Sequence, residues 1–190
     1  VSDELTLRRH LASALSSDDD RSKLRAGELH ALLGEFTDAY KMFTQATQSK
    51  IEEVRWVALV KLATAMKFIG CFSLEKMLEP LMDAYELRPR FADPLIVASQ
   101  FCREAGKVHT ALLFSTTAIG IPMPDDTRDP DVYAWKTVYE YALCAAQVPI
   151  YYENALGAFN EILSRNDIRL PDAVRASCVA ERQKLLEDLP

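Results

Sequence analysis

The chain is poor in the residues that punctuate, staple or charge a fold. Its 190 residues include 6 glycines, 4 cysteines, 3 histidines and 2 tryptophans, and each scarcity closes off a class of function. Cys71, Cys102, Cys144 and Cys178 lie more than 30 residues apart, with no close pair, so no local metal motif is present. Each falls in an apolar helical stretch, and buried free thiols in a reducing, cytoplasmic setting are expected. His10, His30 and His109 stand singly, without paired ligand spacing or an evident nucleophile partner. The glycines form no phosphate-cradling loop. Basic charge is also short: 22 Lys and Arg against 28 Asp and Glu give a net charge of −6. No overall positive field exists to hold nucleic acid as principal ligand. No run approaches the ~18 uncharged apolar residues of a spanning helix, and the N-terminus lacks an apolar signal core. No membrane span, metal or cofactor is expected. The chain opens at Val1 without a Met and is amphipathic within a few residues, which suggests a segment of a longer protein.

What the chain does have is 49% hydrophobic residues laid out at helical spacing. Ser2 or Asp3 can cap a first helix with Leu5, Leu7, Leu11, Ala14 and Leu15 on one face. Ser16-Ser17-Asp18-Asp19-Asp20 interrupts it, and a second helix runs from about Arg21 to Leu33. Gly34 stops that helix, and Phe36, Ala39, Tyr40, Phe43 and Ala46 give the next one an i, i+3, i+4, i+7 face. A long helix from Ile51 to Ile69 follows, apolar on more than one side, and Gly70 ends it. Its partner spans Ser73 to about Leu87, where Pro80 predicts either a kink or a later start. Asp93-Pro94 reads as an N-cap followed by proline in the first turn. Further helices are expected over about 94–105, 107–119, 131–147, 151–164 and 171–188, and the proline-rich stretch 120–130 forms the longest connection. Nothing alternates with period two, so the reading is all-α.

The pattern also repeats. Gly34 is followed five residues later by Ala39, then by Phe43 and Ala46; Gly106 is followed five residues later by Ala111, then by Ser115 and Ala118. Glycine ends one helix where a left-handed backbone is needed, and alanine lets the next helix pack close against it. Taking Ala39, Met77, Ala111 and Ala155 as the close-packing positions gives intervals of 38, 34 and 44 residues. This predicts one domain of about four antiparallel helical hairpins over 3–48, 51–88, 93–120 and 130–165, with a mostly polar capping helix at 171–188.

With these residues in place the chain resembles a tetratricopeptide-repeat (TPR) domain, whose period is about 34 residues. More narrowly, it is similar to the TPR region that accompanies bacterial family 2 glycosyltransferases. The narrower likeness rests on Glu52-Glu53-Val54-Arg55-Trp56-Val57, on Ala84-Tyr85-Glu86-Leu87-Arg88-Pro89-Arg90-Phe91-Ala92-Asp93-Pro94-Leu95, on Gly120-Ile121-Pro122-Met123-Pro124, and on Val132-Tyr133-Ala134-Trp135 with Tyr139-Glu140. It covers about residues 20 to 182. Met77 stands where the family usually has Ala, Asp93 where it has Glu, and Ala145 to Pro149 where it has aromatic residues and Gly. The resemblance implies a right-handed solenoid that binds protein or peptide, with a glycan or a glycosyltransferase domain as further partner classes.

Candidate chemistry is sparse. Asp18-x-Asp20 has the spacing of a metal-binding carboxylate pair, but it lies between helices, where Asp caps the following helix. Asp125-Asp126 reads as solvated turn. Tyr133, Trp135, Tyr139, Tyr141, Tyr151 and Tyr152 are either core between repeats or an aromatic groove wall. Arg55, Lys61, Arg88, Arg90 and Arg103 are either solvated helix faces or a basic strip. Arg55, Arg88, Arg90, Arg103, Tyr133, Trp135 and Tyr139 are therefore the candidate partner-binding residues, and no catalytic residue is assigned. The expected function is a non-catalytic interaction module. The alternatives are a self-associating adaptor or an enzyme pairing Glu52 or Glu53 with Glu140 as acid and base.

Overall fold

The computed structural model describes residues 4–188, and among them every regular element is a helix. The predicted cap at Ser2 or Asp3 lies outside the described residues. The chain forms two compact units, divided between Pro89 and Arg90.

The first unit holds α1 (Glu4–Leu15), α2 (Asp20–Leu32), α3 (Phe36–Ala46), α4 (Glu52–Ile69) and α5 (Leu74–Leu87). Each packs on the next, and α2 also meets α4. Asp19 caps α2, its carboxylate accepting the N–H groups of Arg21 and Ser22 at 3.0 Å. The Ser17 and Ser22 hydroxyls add to this and hold the Asp19 carboxyl well below its ordinary pKa. The residues on either side of it have other work. Asp18 pairs with Lys23, and Asp20 accepts from the Ser49 hydroxyl.

Gly34, Gly70 and Gly106 all adopt left-handed backbone, with φ of 77°, 76° and 73°, and they stand 36 residues apart. This frame is more even than the alanine frame. Ala39 and Ala111 follow their glycines by five residues, whereas Met77 follows Gly70 by seven. Two extra residues thus sit in the turn after Gly70, where Ser73 caps α5 by accepting the Lys76 N–H. They explain why the expected intervals were 38 and 34; Met77, the fourth residue of α5 as Ala39 is of α3, is half-buried. Seven residues beyond each close-packing position, in the same frame, Ala46, Ala84, Ala118 and Ile162 are all buried. Pro80 lies inside α5, which runs through it without interruption.

Among the described residues, apolar clusters bind the first unit. Leu11 joins Ala26 and Leu29, Phe43 joins Ala39 and Ala65, and Ala46 joins Val54 and Ala58. Gly27 is essential to this packing, because a Cβ there would lie 2.6 Å from the Phe43 ring.

The second unit holds α6 (Asp93–Glu104), α7 (Val108–Ile119), α8 (Thr137–Ala145), α9 (Tyr152–Ser164) and α10 (Asp172–Asp188). Successive helices pack together, and α6 also meets α8. The cap of α6 is Ala92, and Asp93 is its first residue rather than its N-cap; Pro94 occupies the first turn as expected. A π turn at Val132–Lys136 leads into α8, which the sequence does not announce. Its wider winding buries both Val132 and Trp135 and sets the Tyr133 hydroxyl to accept the Ala92 N–H at 2.9 Å, a donor left open at the start of α6. A short 3₁₀ turn at Pro149–Tyr151 precedes α9. Helix α10 buries Cys178 and Leu185, one face of an otherwise exposed helix. Cys102, Cys144 and Cys178 are buried as expected, but Cys71 is exposed, because Gly70 turns the chain out of α4 before that residue is reached.

Candidate interaction groove

The first unit carries an open cavity of about 460 Å³ between α2 and α4, floored by α3. Helix periodicity builds its walls. Arg25, Glu28, Ala31 and Leu32 follow one another along one face of α2, and Lys61, Thr64, Ala65 and Phe68 along one face of α4. Phe36 and Phe43 rise from α3, Phe43 fully buried beneath Gly27. Phe36 stacks on Phe68 with ring centroids 4.4 Å apart and planes inclined by 10°. At one end of the cavity Leu32 is 66% and Phe68 60% exposed, large apolar surfaces left open to water. The rim is charged: Arg25 and Glu28 pair at 3.3 Å, and Lys61 is exposed. The Thr64 hydroxyl is turned back onto the Val60 carbonyl of its own helix. This arrangement offers shape, apolar area and rim charge, with the Glu28 carboxylate paired to Arg25 and the Thr64 hydroxyl bonded within its own helix.

The residues singled out from sequence lie elsewhere. Arg88 covers the Trp56 ring at 5.7 Å and approaches Glu52 at 3.4 Å. Arg55 is half-buried on α4. In the second unit Arg90 pairs with Asp126 at 2.7 Å. Arg103 grips Glu140 through two bonds of 2.8 and 3.0 Å, and Glu140 is 5% exposed. Tyr133 is committed to Ala92, Trp135 is buried edge-on to Tyr139, and the Tyr139 hydroxyl donates to Ser177 of α10 at 2.9 Å. Within the second unit Trp135 packs inward with Tyr133 and Tyr139 half-buried, and Arg88, Arg90 and Arg103 each enter an ion pair. Lys61 is the one member of that set that reaches the cavity.

The environment of Glu140 bears on the enzymatic alternative. Its carboxylate is held at both oxygens by Arg103, with the Ser99 hydroxyl 3.4 Å and the Cys144 thiol 3.5 Å from Oε1. Ser99 donates at 2.9 Å to the Ala111 carbonyl. Burial pushes the Cys144 thiol up to about 12 and that of Cys178 up to about 11, so both are protonated at neutral pH. A carboxylate that is 5% exposed and held by a two-point pair with Arg103 is poorly placed to reach a substrate proton.

The groove residues escaped the sequence reading because an exposed Leu or Phe in a helix is written in the same letters as a core one. The available signal was surplus. Leu32 lies beside Leu29 and Leu33, and Phe68 extends a helix already apolar on more than one side.

No family model matches the chain, and no curated protein is similar to it in sequence. Solved structures do match. A thermophilic TPR protein of Thermus thermophilus superposes with a TM-score of 0.69 at 16% identity, covering 94% of this chain and 88% of that one. A tetratricopeptide repeat protein from Parabacteroides merdae gives 0.66 at 16% identity, over 89% of this chain and 60% of its own. The MamA protein gives 0.60 at 16% identity, over 88% and 90%. The fold is thus all-α and of the tetratricopeptide type, consistent with a helical solenoid. Among the described residues no helix is long and apolar enough to cross a membrane.

Proposed function

We propose that this chain is a non-catalytic protein-interaction module that seats an apolar segment of a partner in the groove of α2, α3 and α4. The observation that carries the reading is the pairing of a 460 Å³ cavity with the exposed Leu32 and Phe68 at its edge. Leaving large apolar side chains in water forgoes about 1.5–3 kcal/mol each relative to burial, and a partner covering both would recover it. The walls belong to packed helices, so little ordering opposes binding.

The test is selection of peptides from a random display library on the immobilised protein. The expected outcome is enrichment of sequences with spaced apolar residues, whose binding the Leu32→Ala/Phe68→Ala variant loses at least tenfold while keeping its helical content. Peptides that bind this variant undiminished would remove the groove from consideration.

We further propose that the module is the accessory region of a bacterial glycosyltransferase-like protein. The motif series from Glu52 to Glu140 supports that reading. Sequencing the coding region on both sides tests it: an adjoining α/β domain with a paired-Asp metal motif supports the association, and a bare start and stop would count against it, leaving a stand-alone adaptor.

A further inference from the structure

The second unit carries a shallower groove of about 410 Å³ where the end of α7 meets α8 and α9. Ile119, Val138 and Tyr141 supply its apolar surface, and Glu153 and Glu161 its charge. No lysine, arginine or histidine lines it, and neither carboxylate is ion-paired with a described residue. Burial, with the neighbouring Tyr151, holds the Tyr141 hydroxyl above its ordinary pKa, so it stays a neutral donor. Beside it the 3₁₀ turn presents Ile150, 80% exposed.

Gly157 is the informative residue. Glycine inside a helix weakens it relative to alanine, so it calls for a reason. Gly27, the other glycine inside a helix, has an internal one in the Phe43 ring. Around Gly157 no atom beyond its chain neighbours and its own helix backbone lies within 4 Å of where a Cβ would stand. Nothing inside the molecule requires the absence of a side chain, and Gly157, exposed, lines the groove between the two glutamates in sequence. A bare backbone there suits close approach by something outside.

We infer that this groove docks a basic amphipathic segment of a partner protein, with an apolar side chain laid across Gly157 and flanking Lys or Arg side chains meeting Glu153 and Glu161. Charge complementarity selects the occupant: the lining offers two carboxylates and apolar surface with no cation among its own residues, and the nearby Arg165, which acts on Glu161 through space, is committed to Asp167. An acidic segment would be repelled at both ends. The docking is independent of the α2–α4 groove.

The experiment is fluorescence anisotropy of a labelled twelve-residue Leu/Lys amphipathic peptide and its Leu/Glu counterpart, titrated with the whole chain. The Leu/Lys peptide should bind and the Leu/Glu peptide should not. Glu153→Gln/Glu161→Gln should weaken binding at least tenfold, as should Gly157→Leu, which fills the groove. The control pair Asp83→Asn/Glu86→Gln, exposed on α5, should change it less than twofold. Leu32→Ala/Phe68→Ala should leave it intact, which separates this proposal from the preceding one. Gly157→Ala should raise Tm, confirming that the glycine serves no internal packing. Equal losses in groove and control pairs would reduce the effect to the net charge of −6. Unchanged binding by Gly157→Leu, or preference for the acidic peptide, would overturn the proposal.

Discussion

The two units build the same helical hairpin from different materials. The first is held by close apolar contact: a ring set against a bare glycine at Gly27 and Phe43, alanines at helix crossings, and Ser49 as its buried polar residue. The second buries Ser99, Ser115, Thr137 and Glu140, with Arg103 reaching in from the side. Apolar contact is non-directional and tolerates sliding, whereas a bidentate guanidinium–carboxylate pair accepts one alignment. The second unit also carries the features that disturb an ideal repeat, the π turn, the 3₁₀ turn and the long connection at 120–131. There the Arg103–Glu140 pair fixes α6 against α8 despite those irregularities.

The largest expected effect tests that contrast at Glu140. Glu140→Ala leaves the Arg103 charge unpaired in a mostly buried position and should cost about 3 kcal/mol in urea denaturation, with hydrogen exchange rising first in the second unit. Replacing both partners by Arg103→Met/Glu140→Leu should recover most of the loss. A single variant costing under ~1 kcal/mol would mean that the pair does not organise the unit. Next in size is Gly27→Ala. Overpacking against a locked Phe43 ring costs about 1–3 kcal/mol, partly offset by about 1 kcal/mol of better helix propensity. The net loss should be about 1 kcal/mol, confined to the first unit and relieved by Phe43→Leu in a double-mutant cycle.

A smaller effect is expected at Asp93, whose Oδ2 is buried without a hydrogen-bond partner among the described residues. Burial holds its carboxyl above the ordinary value, with Asp129 adding to the rise and Lys136 opposing it. The native state therefore binds this proton more tightly than the unfolded chain does. The stability it contributes is present below the unfolded pKa and lost as pH rises through the native one. Asp93→Asn should accordingly be the more stable protein at pH 7, the difference closing as pH falls below the ordinary carboxylate range. Equal pH profiles for the two proteins would sink the assignment. The gentlest test uses thiol reagents. Cys71 should react at once in the native protein, and Cys102, Cys144 and Cys178 only on unfolding.

Most of the fold could be read in advance because helices advertise themselves through spacing, and glycine and proline mark their ends. What could not be read were departures involving one or two residues. The π turn at 132–136 replaces one winding by another without a distinctive letter, and the insertion after Gly70 moved Met77 two residues further from its glycine than Ala39 and Ala111 are from theirs. The aromatic run from Tyr133 to Tyr139 was conspicuous, yet each ring found a partner within the fold. The open surfaces were instead made by Leu32 and Phe68, whose exposure follows from how α2 and α4 are set against α3, a tertiary relation that no local pattern encodes.

The even spacing of Gly34, Gly70 and Gly106 makes this chain modular in the manner of a printed line with fixed margins. A block cut from one such glycine to the next begins and ends in the same backbone state, so the 36-residue block is the natural unit for duplication or deletion. Additions of other lengths disturb least in a turn that already departs from the measure. The stretch from Gly70 to Ser73, two residues longer than its counterparts and carrying the accessible Cys71, is where this molecule would take an added segment or a tether with the smallest disturbance to its helices.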